Sequence, residues 1–390
     1  MKTTPTFTGF VCPDSGETCD VTTSHHPDGE IIDPTYAYDA IDLSRADLES
    51  RPFGPEKYEE LLPIPADTRV SLGEGGTPLI DCPALAEELG VERCVIKDEG
   101  ANPTGTFSDR GMSLAVSVAR QHDATDVALA TTGDAGQAAA AYAARAGFTS
   151  HAFVPSRSTF LTKAMINVHG GDMTVVKGRI PDAESAFVDA MSENDWYSLQ
   201  SFETPYCHEG AKPIMYELVE QLDWDVPDAV FYPFEGSAGL VGMAKAAREF
   251  RDLGLIDALP PLYAAQSDAC APIVEAFESG AAEASAWEVP DTVCGGLELP
   301  DPDGSALVLD SLRESGGGAI ATSDSDILES AVTVASHTGC EMGVSAAAAA
   351  SAAWDMQDAF SENDTIVLVN TAAGGKDGDL LRSHLMGQGI

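Results

Sequence analysis

The sequence predicts a soluble, two-domain α/β protein in which each domain is a mostly parallel sheet flanked by helices and a ligand cleft lies between them. Three observations predict it. The chain has 390 residues, more than one ordinary core accommodates. From about residue 90, short apolar runs alternate with helical patterns, the order that parallel sheets with crossover helices require. Glycine-rich turns stand where strands pass into helices, which is where ligands bind in such sheets.

The elements follow in order. Cys94 to Ile96 and Asp126 to Ala130 are predicted strands, and Gly136 to Arg145 is a helix because it is nearly all alanine. Gly147 supplies its C-cap. Ser150 to Val154 is the next strand, Phe160 to His169 the next helix and Met173 to Val176 a further strand. A helix over Asp182 to Met191 has Pro181 as its opening residue. The second half repeats the theme. Asp228 to Tyr232 is a strand that enters the turn Glu235 to Gly239 and then a helix through Phe250. Pro261 to Gln266 is a strand and Ala271 to Phe277 a helix. Ile327 to Ser336 and Ser345 to Met356 are helical, and Asp364 to Asn370 is a final buried strand.

Composition narrows the partners. With 63 Asp plus Glu against 21 Lys plus Arg, the formal charge is -42. Nucleic acid is excluded as a partner because phosphate neutralisation needs clustered cations. An apolar share of 44% argues against disorder, so the acids form a solvated surface suited to a salt-rich cytoplasm, where charges are screened over short distances. No signal peptide is visible behind Lys2, and the apolar tract Val344 to Trp354 is too short to span a bilayer. The reading is a cytoplasmic protein with no membrane contact. The eight cysteines are scattered, unlike those of a disulfide-built domain.

The first 60 residues, rich in turn formers, form an extension that wraps a larger body. Cys12, Cys19, His25 and His26 within it are the ligand types of a zinc site. They lack its tight pairs, and no metal site is assigned. The larger domain is expected over residues 61–110 plus 205–390, and the smaller over 111–204.

Several strings then occur in a fixed order: Gly73-Glu74-Gly75-Gly76-Thr77-Pro78-Leu79, Lys97-Asp98-Glu99-Gly100, Asn102-Pro103-Thr104-Gly105-Thr106-Phe107, and Asp109-Arg110-Gly111-Met112. Thr132-Gly133-Asp134-Ala135-Gly136-Gln137, Glu209-Gly210-Ala211-Lys212 and the glycine turn at 236 to 239 continue the series. Together they resemble the threonine synthase family over roughly residues 55 to 385. The resemblance implies a fold type II pyridoxal-phosphate (PLP) enzyme, similar to the tryptophan synthase β fold. Its activity converts O-phospho-L-homoserine and water into L-threonine and phosphate. It implies PLP as electron sink, a lysine that forms the Schiff base, a small amino-acid or phosphorylated metabolite as partner, and possible homodimerisation.

The same resemblance assigns roles. Ser108 stands where the family carries its Schiff-base lysine, and a hydroxyl cannot form an imine. It is left either to hydrogen-bond a ligand or to start the following helix. Asp134 takes the place of an asparagine facing the 3′ oxygen of PLP, where an ionised carboxylate cannot donate a hydrogen bond. Gly236, Ser237, Ala238 and Gly239 form the phosphate cradle, with Glu235 placing a negative charge beside it. Thr371 matches the contact to the pyridine nitrogen, although Ala372 and Ala373 follow it in place of glycine. Thr106, Arg110 and Thr132 fall on the substrate side, while an ion pair is the other role open to Arg110. Lys97 and Lys376 are expected to be structural, and His208 to position the domains.

These departures predict a threonine-synthase-like protein that is catalytically impaired or inactive, with PLP retention in doubt. Two alternatives stay open: an active PLP enzyme with a relocated base, and an enzyme that works without PLP.

Overall fold

The computed structural model describes residues 1–13, 15–21, 23 and 31–387; His25 and His26 lie outside these described residues. Three sheets organise the chain. Strand β1 (Phe7–Val11) is flanked by β2 (Thr18–Cys19) and β3 (Asp33–Tyr36) in an antiparallel trio. β4 (Leu79–Asp81) and β5 (Arg93–Asp98) start a second sheet, which the chain then leaves. β6 (Asp126–Ala130), β7 (Thr149–Pro155), β8 (Asp172–Val176) and β9 (Tyr197–Ser198) form a separate parallel sheet in the order β8-β7-β6-β9. β10 (Ala229–Pro233), β11 (Leu262–Ser267), β12 (Gly318–Thr322) and β13 (Thr365–Asn370) complete the second sheet in the order β12-β11-β10-β13-β5-β4. Only β4 runs antiparallel there. Central strands buried on both faces explain the unbroken apolar runs of β10 and β13.

The predicted elements are present with small shifts at their ends. The alanine-rich helix spans Asp134–Ala146 and ends on Gly147, whose φ of 82° is the left-handed cap that glycine adopts without a Cβ clash. The helix expected from Ser345 begins later, at Ala348. Before it, the backbone N–H of Gly343 donates to Ala372 O at 2.8 Å and that of Val344 to Asp377 Oδ2 at 2.8 Å. These two bonds tie the segment to the turn after β13, and residues 344–347 make a turn that leads into the helix. The expected domain boundary at 110 falls inside the helix Ser108–Gln121. The N-terminal extension contributes Phe7, Phe10, Tyr36 and Leu48 to the main core, where all four are buried.

The helices Ser108–Gln121, Tyr206–Ala211 and Ser237–Asp252 pack almost backbone to backbone. A Cβ on Gly210 would lie 2.5 Å from Arg110 O, and one on Gly242 would lie 2.4 Å from His208 O. Glycine is required at both points by this close approach.

A buried charge network locks the same region. Arg110 donates from Nε and Nη2 to the two oxygens of Glu99 at 2.6 and 2.8 Å, and from Nη1 and Nη2 to those of Glu217 at 2.7 Å each. Lys97 donates to Glu217 at 2.8 Å and to Thr77 O at 2.9 Å. Burial works against the Glu217 carboxylate, but Arg110 and Lys97 outweigh it and hold its pKa below the usual range. Removing one member of such a group leaves an unpaired buried charge. Arg110→Met is therefore expected to cost about 3–5 kcal/mol of unfolding free energy, measured by chemical denaturation in concentrated KCl. A loss of less than about 1 kcal/mol would contradict this role.

Candidate functional site

Parallel strands deliver their C-terminal ends to one side of a sheet, and here both large sheets open onto a shared cleft. The backbone zips its rims together. Phe107 N–H donates to Thr371 O, Ala373 N–H to Gly105 O, and Thr106 pairs with Ala372 as an isolated bridge. The cleft holds a cavity of about 330 Å³ whose wall includes Thr132, Asp134, Glu235, Ser345, Ala372 and Lys376. Of the residues predicted for the site, Thr132, Asp134 and Glu235 face this cavity.

Ser108 opens the helix Ser108–Gln121, and its N–H donates to Thr106 Oγ1 at 3.3 Å. The helix start is held by Asp109, which accepts from the N–H and hydroxyl of Thr104 at 2.7 and 2.8 Å. Burial pushes the Asp109 carboxyl up to about 6 against those two bonds. Neither Ser108 nor Thr106 is part of the cavity wall, and Thr106 is 1% exposed. Ser108 thus serves as a helix-opening residue.

Asp134 is the first residue of its helix, and its carboxylate accepts from Lys376 Nζ at 2.8 Å. Lys376 also donates to Gln137 Oε1 at 3.1 Å. It reaches across from the turn Gly374–Asp377 that follows β13. A Cβ on Gly105 would meet Lys376 Cε at 3.3 Å, so the absence of a side chain there gives the lysine its path. Lys376 is the one lysine in the wall of this cavity. The sequence reading treated it as structural and missed its place across the cleft.

Glu235 points inward. Thr371 Oγ1 donates to its Oε1 at 2.6 Å. A Cβ on Gly296 would stand 2.9 Å from its Oε2 and 2.8 Å from Ser345 Oγ, so the loop at 295–297 closes tightly over it. Burial pushes the Glu235 carboxyl up to about 8; the Thr371 bond opposes this, the neighbouring Asp134 and Asp377 reinforce it, and Lys376 opposes it. Asp377 rises to about 6, chiefly through burial.

Gly236 holds a φ of 139° ahead of the helix Ser237–Asp252. Ala238 and Gly239 lie buried in its first turn, and Gly239 leaves room for Tyr232, whose hydroxyl would be 2.0 Å from an added Cβ. Ser237 Oγ is buried without a hydrogen-bond partner. None of these four residues lines the cavity; Glu235 stands in front of them.

Arg110 is a correction to the substrate-side reading. It is 3% exposed, and Glu99 and Glu217 take up its guanidinium. The remaining candidates resolve similarly. His208 is buried, lies 3.1 Å from Asp33 Oδ1 and stacks on Phe202. Among the described residues, Asp33, His208 and Glu209 are the only group close enough to share a metal ion. Lys245 lies 2.8 Å from Asp33 and 2.5 Å from Glu209, supplying the positive charge there.

No helix among the described residues is long and apolar enough to cross a membrane. Comparison with known proteins agrees with the fold and the motifs. The family profile described as "Pyridoxal-phosphate dependent enzyme" matches residues 70–372. The threonine synthase of Methanosarcina acetivorans is 35% identical over 347 residues, 87% of this chain and 84% of that protein. That of Methanocaldococcus jannaschii is 33% identical over 90% of this chain and 88% of its own. Among solved structures, maize serine racemase superposes with a TM-score of 0.67 at 18% identity, covering 80% of this chain and 94% of that one. A fungal L-serine ammonia-lyase from Rhizomucor miehei gives 0.68 at 18% identity, covering 80% and 98%. The fold, the ordered motifs and these matches agree: the chain belongs to the pyridoxal-phosphate-dependent enzyme family, among relatives of threonine synthase.

Proposed function

We propose that this protein is a threonine-synthase-like member of its family in which imine-based catalysis is lost or vestigial, and that its cleft binds a small metabolite. One observation carries the reading. Two positions that the family resemblance assigns to PLP are already partnered within the chain, Thr371 by Glu235 and Asp134 by Lys376. An amine is missing at Ser108, a carboxyl group fronts the glycine turn, and the hydroxyl assigned to the pyridine nitrogen is engaged. The residues present do not fit PLP held as an imine, and no catalytic step is derived through it.

A second reading, an active enzyme with a relocated amine, draws on one feature: Lys376 stands inside the cavity. Its ion pair with Asp134 tells against it, because an ammonium held by a carboxylate is not a nucleophile.

Spectroscopy separates the two. Purified protein mixed with PLP in concentrated KCl is expected to show no imine band, and borohydride treatment is expected to leave Lys376 unmodified by mass spectrometry. Ser108→Lys alone is expected to release no phosphate from O-phospho-L-homoserine above background. Release at the rate of an ordinary threonine synthase would overturn the proposal.

The inward Glu235 makes a further prediction about stability. Its folded pKa, about 8, stands above the usual value of about 4.3, so the native state binds the extra proton between those limits. Its contribution is fully present below about pH 4 and is lost as the pH rises through about 8. Unfolding free energy of the wild type should therefore fall relative to that of Glu235→Gln between about pH 5 and about pH 8.5. Parallel pH profiles for the two proteins would show that Glu235 faces water freely.

A further inference from the structure

What the cleft takes follows from how its charges are paired. Six charged side chains line it: Asp134, Arg157, Glu235, Glu298, Lys376 and Asp377. Lys376 neutralises Asp134 at 2.8 Å. Glu298 lies 2.5 Å from Arg179 and 3.6 Å from Arg157, whose side chain is about half exposed (48%). Lys376 is thereby engaged, and Arg157 shares its one carboxylate with Arg179. Glu235 and Asp377 remain, and the donors bonded to them are neutral: the Thr371 hydroxyl and the Val344 N–H.

Two carboxyls facing one cavity, each near Lys376 but neither in a direct ion pair with it, favour a particular ligand. An anion entering beside them would be opposed at short range by their charge, or would have to keep both protonated. A cationic ligand would give charge-assisted hydrogen bonds, about twice as strong as neutral ones. A bare metal ion is the weaker fit, since Asp134, Glu235 and Asp377 do not converge as the group Asp33, His208 and Glu209 does. A cavity of about 330 Å³ lies at the small end of ligand pockets, which limits the molecule to a short chain.

We propose, resting on the reading that PLP does not occupy the cleft, that this cavity binds a small primary ammonium compound with the Glu235 and Asp377 carboxyls as its counter-charges. Binding releases a proton: the protonated carboxyl gives up H⁺ to solvent, and the resulting carboxylate pairs with the ammonium. The groups facing Glu235 are Asp134 from its helix, Lys376 and Asp377 from the turn after β13, and the Thr371 hydroxyl beside it. Tyr232 from β10 lies behind it. The raised pKa of Glu235, about 8, puts the proton release in an accessible range.

The test is calorimetric titration of the intact protein with 1,4-diaminobutane in concentrated KCl, in two buffers of different ionisation enthalpy. The expected result is saturable binding, release of up to one proton per site, and affinity rising by up to about tenfold per pH unit as the pH approaches 8. Glu235→Gln should weaken binding by at least about tenfold. Asp377→Asn gives a second measurement should the first variant misfold. 1,4-Butanediol, which matches the length without the charge, should not bind. Equal binding of the diol, unchanged affinity in both variants, or tighter binding of inorganic phosphate than of the diamine would each overturn the inference. An imine band with PLP would overturn the proposed function itself. Absence of both the band and diamine binding would remove only the ligand assignment.

Discussion

The cleft depends on the buried guanidinium of Arg110. Its two carboxylate partners arrive from different places: Glu99 from the turn after β5, and Glu217 from the helix Pro213–Gln221. Lys97, Thr77 and Asn102 complete the group. Arg110 lies two residues beyond Ser108, so this network fixes the first turn of its helix whatever side chain stands at 108. Each member of a buried ionic group is expensive to remove because its partner is left charged and unsolvated. The strings that resemble threonine synthases at 73–79, 97–100, 102–107 and 109–112 contribute to this one network. Their residues are held by folding contacts, which do not depend on imine chemistry in the cleft.

A second network plays the same part for the N-terminus. Tyr36 donates to Glu209 at 2.6 Å and Tyr38 to Glu249 at 2.7 Å, while Lys245 joins Asp33 to Glu209. Glu209 and Lys212 belong to the Glu209-Gly210-Ala211-Lys212 string, so that string serves structure as well. His208 is held in this group through Asp33.

This division explains what was legible in the sequence. Strands β5, β6, β7, β10 and β13 announce themselves as apolar runs between turns, because they are buried on both faces or nearly so. The two-residue strand β9 and the N-terminal trio carry no such signal; their pairing comes from tertiary contacts. The motifs located the cleft but could not orient its side chains. Whether Glu235 faced in or out depended on the Thr371 hydroxyl, 136 residues away. The pairing of Lys376 with Asp134 spans 242 residues, and nothing local at either end foretells it. For Arg110 the sequence left both a substrate-side role and an ion pair open; the structure takes the ion pair, with Glu99 and Glu217, and Glu217 lies 107 residues away.

The acidic character of the cleft and that of the surface are then different properties. Most of the net charge of -42 is borne by exposed groups, whose mutual repulsion salt screens within about 10 Å or less. Glu235 and Asp377 are half-buried in the cavity wall, where burial raises both carboxyls and Lys376 opposes the rise. Holding a proton or meeting a cation lowers the energy of either one. Asp134 is paired with Lys376, and Glu235 accepts from Thr371. Both contacts are made without Ser108, which opens its helix outside the cavity wall. A side chain changed at 108 alone would therefore leave these pairings in place, and the cleft would keep its present electrostatics.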